Sequence, residues 1–288
     1  MGFRTIVVNE HSKLSYKNNH LIYKSAKNTE MIHLSEIDVL ILETTDIAIT
    51  TMLISKLTDE NILTIFCDSK RLPTAKLTPY YGRNDTSLQL KKQMGWSKER
   101  TEIAWLGLLS QKLFNQASYL YNCALTEEAA AIFMLLDGLA IGDPNNREGH
   151  GARISFTALF GQKFNRGQDN DINASLNYGY TLLMSLFARE ITVCGCLTQL
   201  GVGHVNQYND FNLASDLMEP FRILVDEIVF RHKDKEFPVL KRELFKIFTR
   251  TYKYEKADMY LTNIVKKYTR QFIDYLHEDC DEMPVFEK

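Results

Sequence analysis

The sequence predicts an α+β fold, with a small N-terminal β-rich domain ahead of a larger all-α domain. Three observations carry that reading. Short β-branched runs fill residues 1 to about 70, apolar residues at helical spacing dominate beyond residue 87, and a segment with Pro73 and Pro79 separates them. The expected boundaries are 1–70 for the β-rich domain, 71–86 for a linker and 87–288 for the helical domain. With 288 residues, each part can bury a core.

Arg4 to Asn9 is short and β-branched, and Lys13 to Lys24 reads as a hairpin turning at Lys17-Asn18-Asn19. Met31 to Glu43 is a second β-rich run crossing a turn near Ser35-Glu36. Thr45 or Asp46 then caps a helix through Leu57, and Asn61 to Cys67 returns to strand. Beyond the linker, Ile103, Leu106, Leu109, Leu113, Ala117, Leu120 and Ala124 keep helical spacing. Asp143-Pro144 opens a further helix through Leu159, and Tyr180 to Leu200 is apolar nearly all round, as a central bundle helix should be. Pro220 interrupts a segment that continues from Arg222 to Phe230, and Arg242 to Phe248 and Met259 to Tyr275 complete the helices.

Hydrophobic content of 45% and charged content of 24% are those of a soluble globular protein. No apolar run approaches the ~18 residues of a membrane span, and the N-terminal residues lack a signal-peptide layout. Five cysteines form neither an even framework nor a C-x-x-C pair, so the expectation is a cytoplasmic protein without membrane contact or structural zinc. Net charge is −2, but it is unevenly spread. Lys70 to Arg100 carries eight Lys/Arg against two acids, and Arg231 to Arg270 twelve against five. Leu120 to Phe230 between them has six against thirteen. Two basic flanks around an acidic middle suit a phosphate-backbone track leading to a cation-binding centre; solvated helix faces are the competing reading.

The chemistry is narrowed by what is missing. There is no G-x-S-x-G nucleophile elbow and no G-x-x-x-x-G-K-[ST] phosphate loop, and Gly201-Val202-Gly203 follows a helix rather than a strand. What remains is acid and imidazole. Asp216 and Glu219 are spaced i, i+3, sharing one face in the first turn of a helix, and His204 can fold back over that turn. Glu148, on its own helix, could complete a set of two carboxylates and one neutral imidazole, which suits Mg²⁺ or Mn²⁺. Spacing alone leaves other roles open: His204 as a hydrogen-bonded cap, Asp216 as an N-cap, and Arg189-Glu190 as an internal ion pair rather than a second centre.

The stretches NNREGHGAR around Glu148, Gly-x-x-His at 201–204 and SDLMEPFR at 215–222 resemble the CRISPR-associated integrase family of spacer acquisition, the Cas-one family. KLSYKNNHLIYK, LSEIDVLILETTD, DENILTIFCD and RLPTAKLTPYYGR carry the likeness through the N-terminal part, and KRELFKIFTRTY and MYLTNIV through the later helices. It looks most similar to the type II-A branch. The resemblance implies a β-sandwich-like N-terminal domain used for dimerisation and partner contact. It implies a homodimer, two copies of which clamp a small dimeric partner of the Cas-two family as a heterohexamer, with a type II-A effector nuclease and a ring-forming accessory protein as further partners.

It also implies Glu148, His204 and Glu219 as ligands of a divalent metal, with Asp216 in support; Glu219 stands where many relatives carry Asp. The implied reaction joins prespacer 3′-hydroxyls to a leader-proximal repeat by transesterification, or hydrolyses DNA when water is the nucleophile. On that reading Gly149 and Gly151 let a backbone or DNA approach the Glu148 helix, and Arg147, His150 and Arg153 balance charge or touch phosphate. Lys70, Arg71, Lys76 and Arg83 about the linker, and Arg222, Lys241, Arg242, Lys246 and Arg250 later, become candidate DNA contacts. Trp96, Tyr80 and Tyr81 either stack on splayed bases or pack at a seam. A non-catalytic DNA-holding scaffold and a small-nucleotide phosphohydrolase are the competing functions.

Overall fold

A computed structural model describes residues 4–79 and 84–288. The chain divides into two units: Met1–Gly82 with Phe248–Arg250, and Arg83–Ile247 with Thr251–Lys288.

The N-terminal unit holds two four-stranded sheets. Strands β1 (Arg4–Val8), β5 (Ile37–Leu42), β7 (Leu63–Cys67) and β8 (Pro73–Leu77) form one, in that order; β4 (Thr29–His33), β3 (His20–Ser25), β2 (Ser12–Lys17) and β6 (Ile47–Ile49) form the other. Leu14 and Leu21 from one sheet and Val8, Leu40 and Leu42 from the other share a core with Leu53 and Leu57 of α1 (Thr51–Asp59). The β2–β3 turn is Asn18-Asn19, both with positive φ (47° and 61°), which Asn tolerates and a tight hairpin requires. The helix expected from Thr45 or Asp46 starts later: residues 47–49 pair in parallel with β2, and Thr50 accepts from Leu53 N as the cap. Residues 73–77, expected as linker, form the edge strand β8, whose first residue Pro73 needs no ladder donor.

The second unit is built around α3 (Lys98–Asn122) and α6 (Asp171–Val193). Around them lie α2 (Thr86–Met94), α4 (Thr126–Asp137), α5 (Arg147–Phe160), α7 (Asn212–Leu217), α8 (Arg222–Arg231), α9 (Phe237–Phe245) and α10 (Leu261–Leu276). Helix α6 starts nine residues before the expected Tyr180, capped by Asn170 accepting from Asn173 N, and it ends before Gly195 at φ +81°. A hairpin of β9 (Thr251–Tyr254) and β10 (Ala257–Tyr260) replaces helix at Met259 and Tyr260, so this unit is not wholly helical. The last residues run back along α3. Asn115 Nδ2 donates to both Pro220 O and Phe286 O at 2.9 Å, and Phe286 stacks on Phe221 with centroids 4.0 Å apart.

Candidate metal centre in the helical unit

Glu148 enters from the start of α5. Asp143 accepts from Arg147 N and Glu148 N at 2.8 and 3.0 Å, satisfying two of the donors a helix start leaves open. The cap residue itself is Asn146, at φ 48°, and not Asp143. Gly151 is buried against α3: a Cβ there would strike the Leu113 side chain. One at Gly149 would strike the Asn146 side chain. Gly151 thus lets α3 pack closely against α5, and Gly149 leaves room for the Asn146 side chain. With α3 drawn against α5, Lys112 lies beside Glu148, and its Nζ pairs with Glu148 Oε1.

His204 comes from the loop after α6. Asp216, wholly buried, takes four donors from that loop: Val202 N at 2.6 Å and Gly203 N at 3.2 Å on Oδ2, and His204 N at 2.9 Å with His204 Nδ1 at 2.6 Å on Oδ1. The pairing assigns Nδ1 as the protonated nitrogen, so in the neutral ring the Nε2 lone pair faces elsewhere, as in carboxylate–histidine–metal arrangements. The hydrogen bond that His204 donates to Asp216 raises the His204 pKa against the opposing effect of burial. The Trp105 ring stands edge-on to the imidazole with centroids 5.4 Å apart, and only a glycine at 203 leaves it room.

Glu219 is 3% exposed, and each oxygen meets a different cation: Arg222 NH2 at 2.8 Å on Oε1, and Lys112 Nζ at 2.6 Å on Oε2. The Lys112 contact lacks hydrogen-bond alignment, which leaves Oε2 a buried acceptor without a donor. Burial alone would raise the Glu219 pKa, but Arg222 and Lys112 outweigh it and hold the carboxyl at about 2. Burial works against the Lys112 charge as well, and Glu219 and Glu148 together overcome it, so its pKa is raised. Behind them the Tyr180 hydroxyl donates to Asp226 Oδ1, and the Arg222 guanidinium sits 4.8 Å from the Tyr180 ring centroid. Burial pushes Asp226 up to about 6.

The structure thus brings Glu148 and Glu219 onto one ammonium, and His204 onto Asp216. It corrects the expected shared helix face. Asp216 lies near the end of α7, and Glu219 opens a 3₁₀ turn, Glu219–Phe221, that Pro220 continues. Among the described residues no three His, Cys, Asp or Glu side chains already stand in coordinating positions. The donor set nonetheless suits a hard divalent cation: two carboxylates already collected on one positive charge, a buried acceptor oxygen without a donor, and an imidazole nitrogen left over.

The proposed DNA contacts divide. His150, Arg153 and Arg242 are exposed, as is Lys70; Lys246 is exposed and paired with Glu243 at 2.6 Å. Arg71 pairs with Glu43 at 3.4 Å, and Arg250 is half-buried. Lys76 is half-buried on β8, its pKa lowered by burial to about 8. Lys241 is a correction: it is 5% exposed, with its ammonium 4.9 Å from the Tyr178 ring, so it does not reach the surface. Arg147 turns inward over Gly138 and donates to Leu135 O, and Arg222 is committed to Glu219. Arg83, Tyr80 and Tyr81 lie outside the described residues. Trp96 packs beside His277, and Arg189–Glu190 is a buried ion pair at 2.7 Å.

Sequence reasoning passed over Lys112, Asn115, Trp105 and Asp226. A signal existed for the first two. Lys112, Asn115 and Gln116, at i, i+3 and i+4, put three polar groups on a buried stripe of α3, where burial requires partners.

The sequence model of the family described as "CRISPR associated protein Cas1" matches residues 5–140 and 153–245. The chain is 32% identical over 252 residues to "CRISPR-associated endonuclease Cas1" of Neisseria meningitidis serogroup C (strain 8013), covering 85% of this chain and 83% of the relative. Among solved structures, a "Casposase bound to integration product" is similar with a TM-score of 0.76 at 18% identity, over 98% of this chain and 92% of that one. A chain of a "Cas6-RT-Cas1--Cas2 complex" has the same TM-score at 17% identity, over 99% of this chain and 36% of that longer one. By sequence match along most of its length, and with a fold to agree, the chain belongs to the Cas1 family of CRISPR-associated proteins.

Proposed function

We propose that this protein is a divalent-metal-dependent DNA integrase and endonuclease of CRISPR adaptation. The observation that carries the reading is the convergence of Glu148 and Glu219, from separate elements, on one positive charge, with the His204 ring oriented by Asp216. Glu148, Glu219 and His204 Nε2 would hold Mg²⁺ or Mn²⁺, which polarises a phosphodiester and stabilises charge on its oxygens when bound. The protein's own side chains prepare that place. Asp216 fixes the imidazole's tautomer and direction, and Arg222 keeps Glu219 anionic. On the Glu148 helix, His150 and Arg153 are exposed and available to backbone phosphates.

The reaction is a transesterification. A prespacer 3′-oxygen bonds to phosphorus at the leader-proximal repeat, the repeat's P–O3′ bond breaks, and that oxygen leaves as a new 3′-hydroxyl. Water in place of the 3′-hydroxyl gives endonucleolytic cleavage. Neither path needs a covalent protein intermediate, which fits the lack of an activated nucleophile motif in the sequence. The partners in this reading are DNA, a second copy of the chain, and a Cas2 dimer clamped by two such dimers in a heterohexamer. The relative named as an endonuclease, the casposase on its integration product and the Cas1–Cas2 assembly support it. A type II-A setting, with its effector nuclease and ring-forming accessory protein, and a cytoplasmic location complete it.

The test is strand transfer of a labelled short duplex into a leader–repeat plasmid, with the Cas2 partner present. Joining with Mn²⁺ or Mg²⁺, abolished by EDTA and by Glu148→Ala, His204→Ala or Glu219→Ala in folded protein, is expected. Tight DNA binding by a verified complex without any joining would instead make the chain a non-catalytic scaffold.

A further inference from the structure

Both oxygens of Glu219 are already engaged by cations, Oε1 by Arg222 and Oε2 by Lys112, and Lys112 also holds Oε1 of Glu148. Charge is balanced within this group: two carboxylates against one ammonium and one guanidinium. A divalent ion added to the same oxygens would leave an excess of positive charge that Asp226, facing Arg222 and Lys112, offsets only in part, in a setting where Lys112 and Glu219 are buried. One of the resident cations must therefore give way. Arg222 is fixed by the Tyr180 face and by its ion pair, and it approaches Glu219 from only three residues along the chain. Lys112 reaches in from α3 on a flexible four-carbon stem, and its contact with Glu219 Oε2 is not an aligned hydrogen bond.

We infer that Lys112 is an internal counter-cation that a divalent ion displaces from between Glu148 and Glu219, so that this lysine sets the centre's metal affinity. This rests on the reading of Glu148 and Glu219 as metal ligands. Lys112 is a positioning residue in this account: it keeps two like-charged carboxylates together, and its release is part of metal binding.

The test is calorimetric titration with Mn²⁺ of wild type, Lys112→Met and Glu148→Gln. Glu148→Gln is expected to weaken Mn²⁺ binding at least tenfold, which places the measured ion at this centre. Lys112→Met is expected to bind Mn²⁺ at least tenfold more tightly than wild type. Its melting temperature in EDTA should be lower, and its gain on adding Mn²⁺ larger. Unchanged or weaker binding by folded Lys112→Met, with Glu148→Gln impaired, overturns the displacement and leaves the metal centre standing. Equal binding by wild type and Glu148→Gln overturns both. Wild type crystallised with Mn²⁺ decides the matter if Lys112→Met does not fold. An anomalous peak on the two carboxylates with Lys112 Nζ withdrawn from both supports the displacement, and Nζ still bridging them beside the ion overturns it.

Discussion

Asp216 and Glu219 stand three residues apart, both buried, both in the same helix–turn–helix segment, yet their carboxylates are satisfied in opposite ways. Asp216 is surrounded by three backbone N–H groups and one ring N–H from the loop at 202–204. Glu219 meets only side-chain cations. Backbone donors cannot leave without unfolding the loop, whereas an ammonium on a flexible stem can. Burial and charge alone do not tell an anchored carboxylate from an exchangeable one; the identity of the donors does.

The largest effect is expected at the anchored carboxylate, Asp216. Asp216→Ala strands the loop's N–H groups and frees the imidazole, so it should cost about 2–4 kcal/mol by urea denaturation and abolish DNA joining. Next comes the layer behind Glu219. Asp226 has a folded pKa raised to about 6 from 3.8, so the folded state keeps a proton that the unfolded chain releases. The stability this contributes is full below about pH 3.8 and is lost as pH rises through 6, on the order of 2–3 kcal/mol. Asp226→Asn should therefore gain on wild type between pH 4 and 7, and denaturation at several pH values will show it. Smaller again is the coupling between Lys112 and Glu219. Their double-mutant cycle, read by stability in EDTA, should give about 1–3 kcal/mol, because removing both charges leaves neither one stranded. A cycle between Lys112 and Asp216 should be close to additive. The smallest effect concerns the exposed Arg153 and Arg242. Each change to Ala should weaken DNA binding evenly across sequences and lower the salt slope by about 1, measured by titration at several ionic strengths.

The fold class could be read from the sequence because its signals are local. Asn18-Asn19 announces its own hairpin, and α6 is apolar enough to read as central from composition alone. The errors came where a tertiary partner decides. Residues 47–49 become strand because β2 lies beside them, and 73–77 because β7 does. The β9–β10 turn is Glu255-Lys256, both at positive φ, with none of the Asn or Gly that usually mark such turns. The resemblance supplied Glu148, His204, Asp216 and Glu219, whose neighbouring glycines and prolines stand out in the sequence. Lys112 was lost to sight because it sits within the apolar repeat of a 25-residue helix, and only the packing of α3 on α5 reveals what it faces.

Asn115 ties the turn that carries Glu219 to a carbonyl 171 residues further along the chain, at Phe286. A ribosome adding 5–20 residues per second takes roughly 10–30 s to cover that distance. Only in the latter part of that interval are α3 and the Glu219 turn both synthesised, and there Asn115 still lacks one of its two acceptors and Phe221 its stacked ring. The nascent chain therefore passes through a period in which the acidic centre is only partly braced. Bracing of this centre therefore waits on residues made well after the ones that form it.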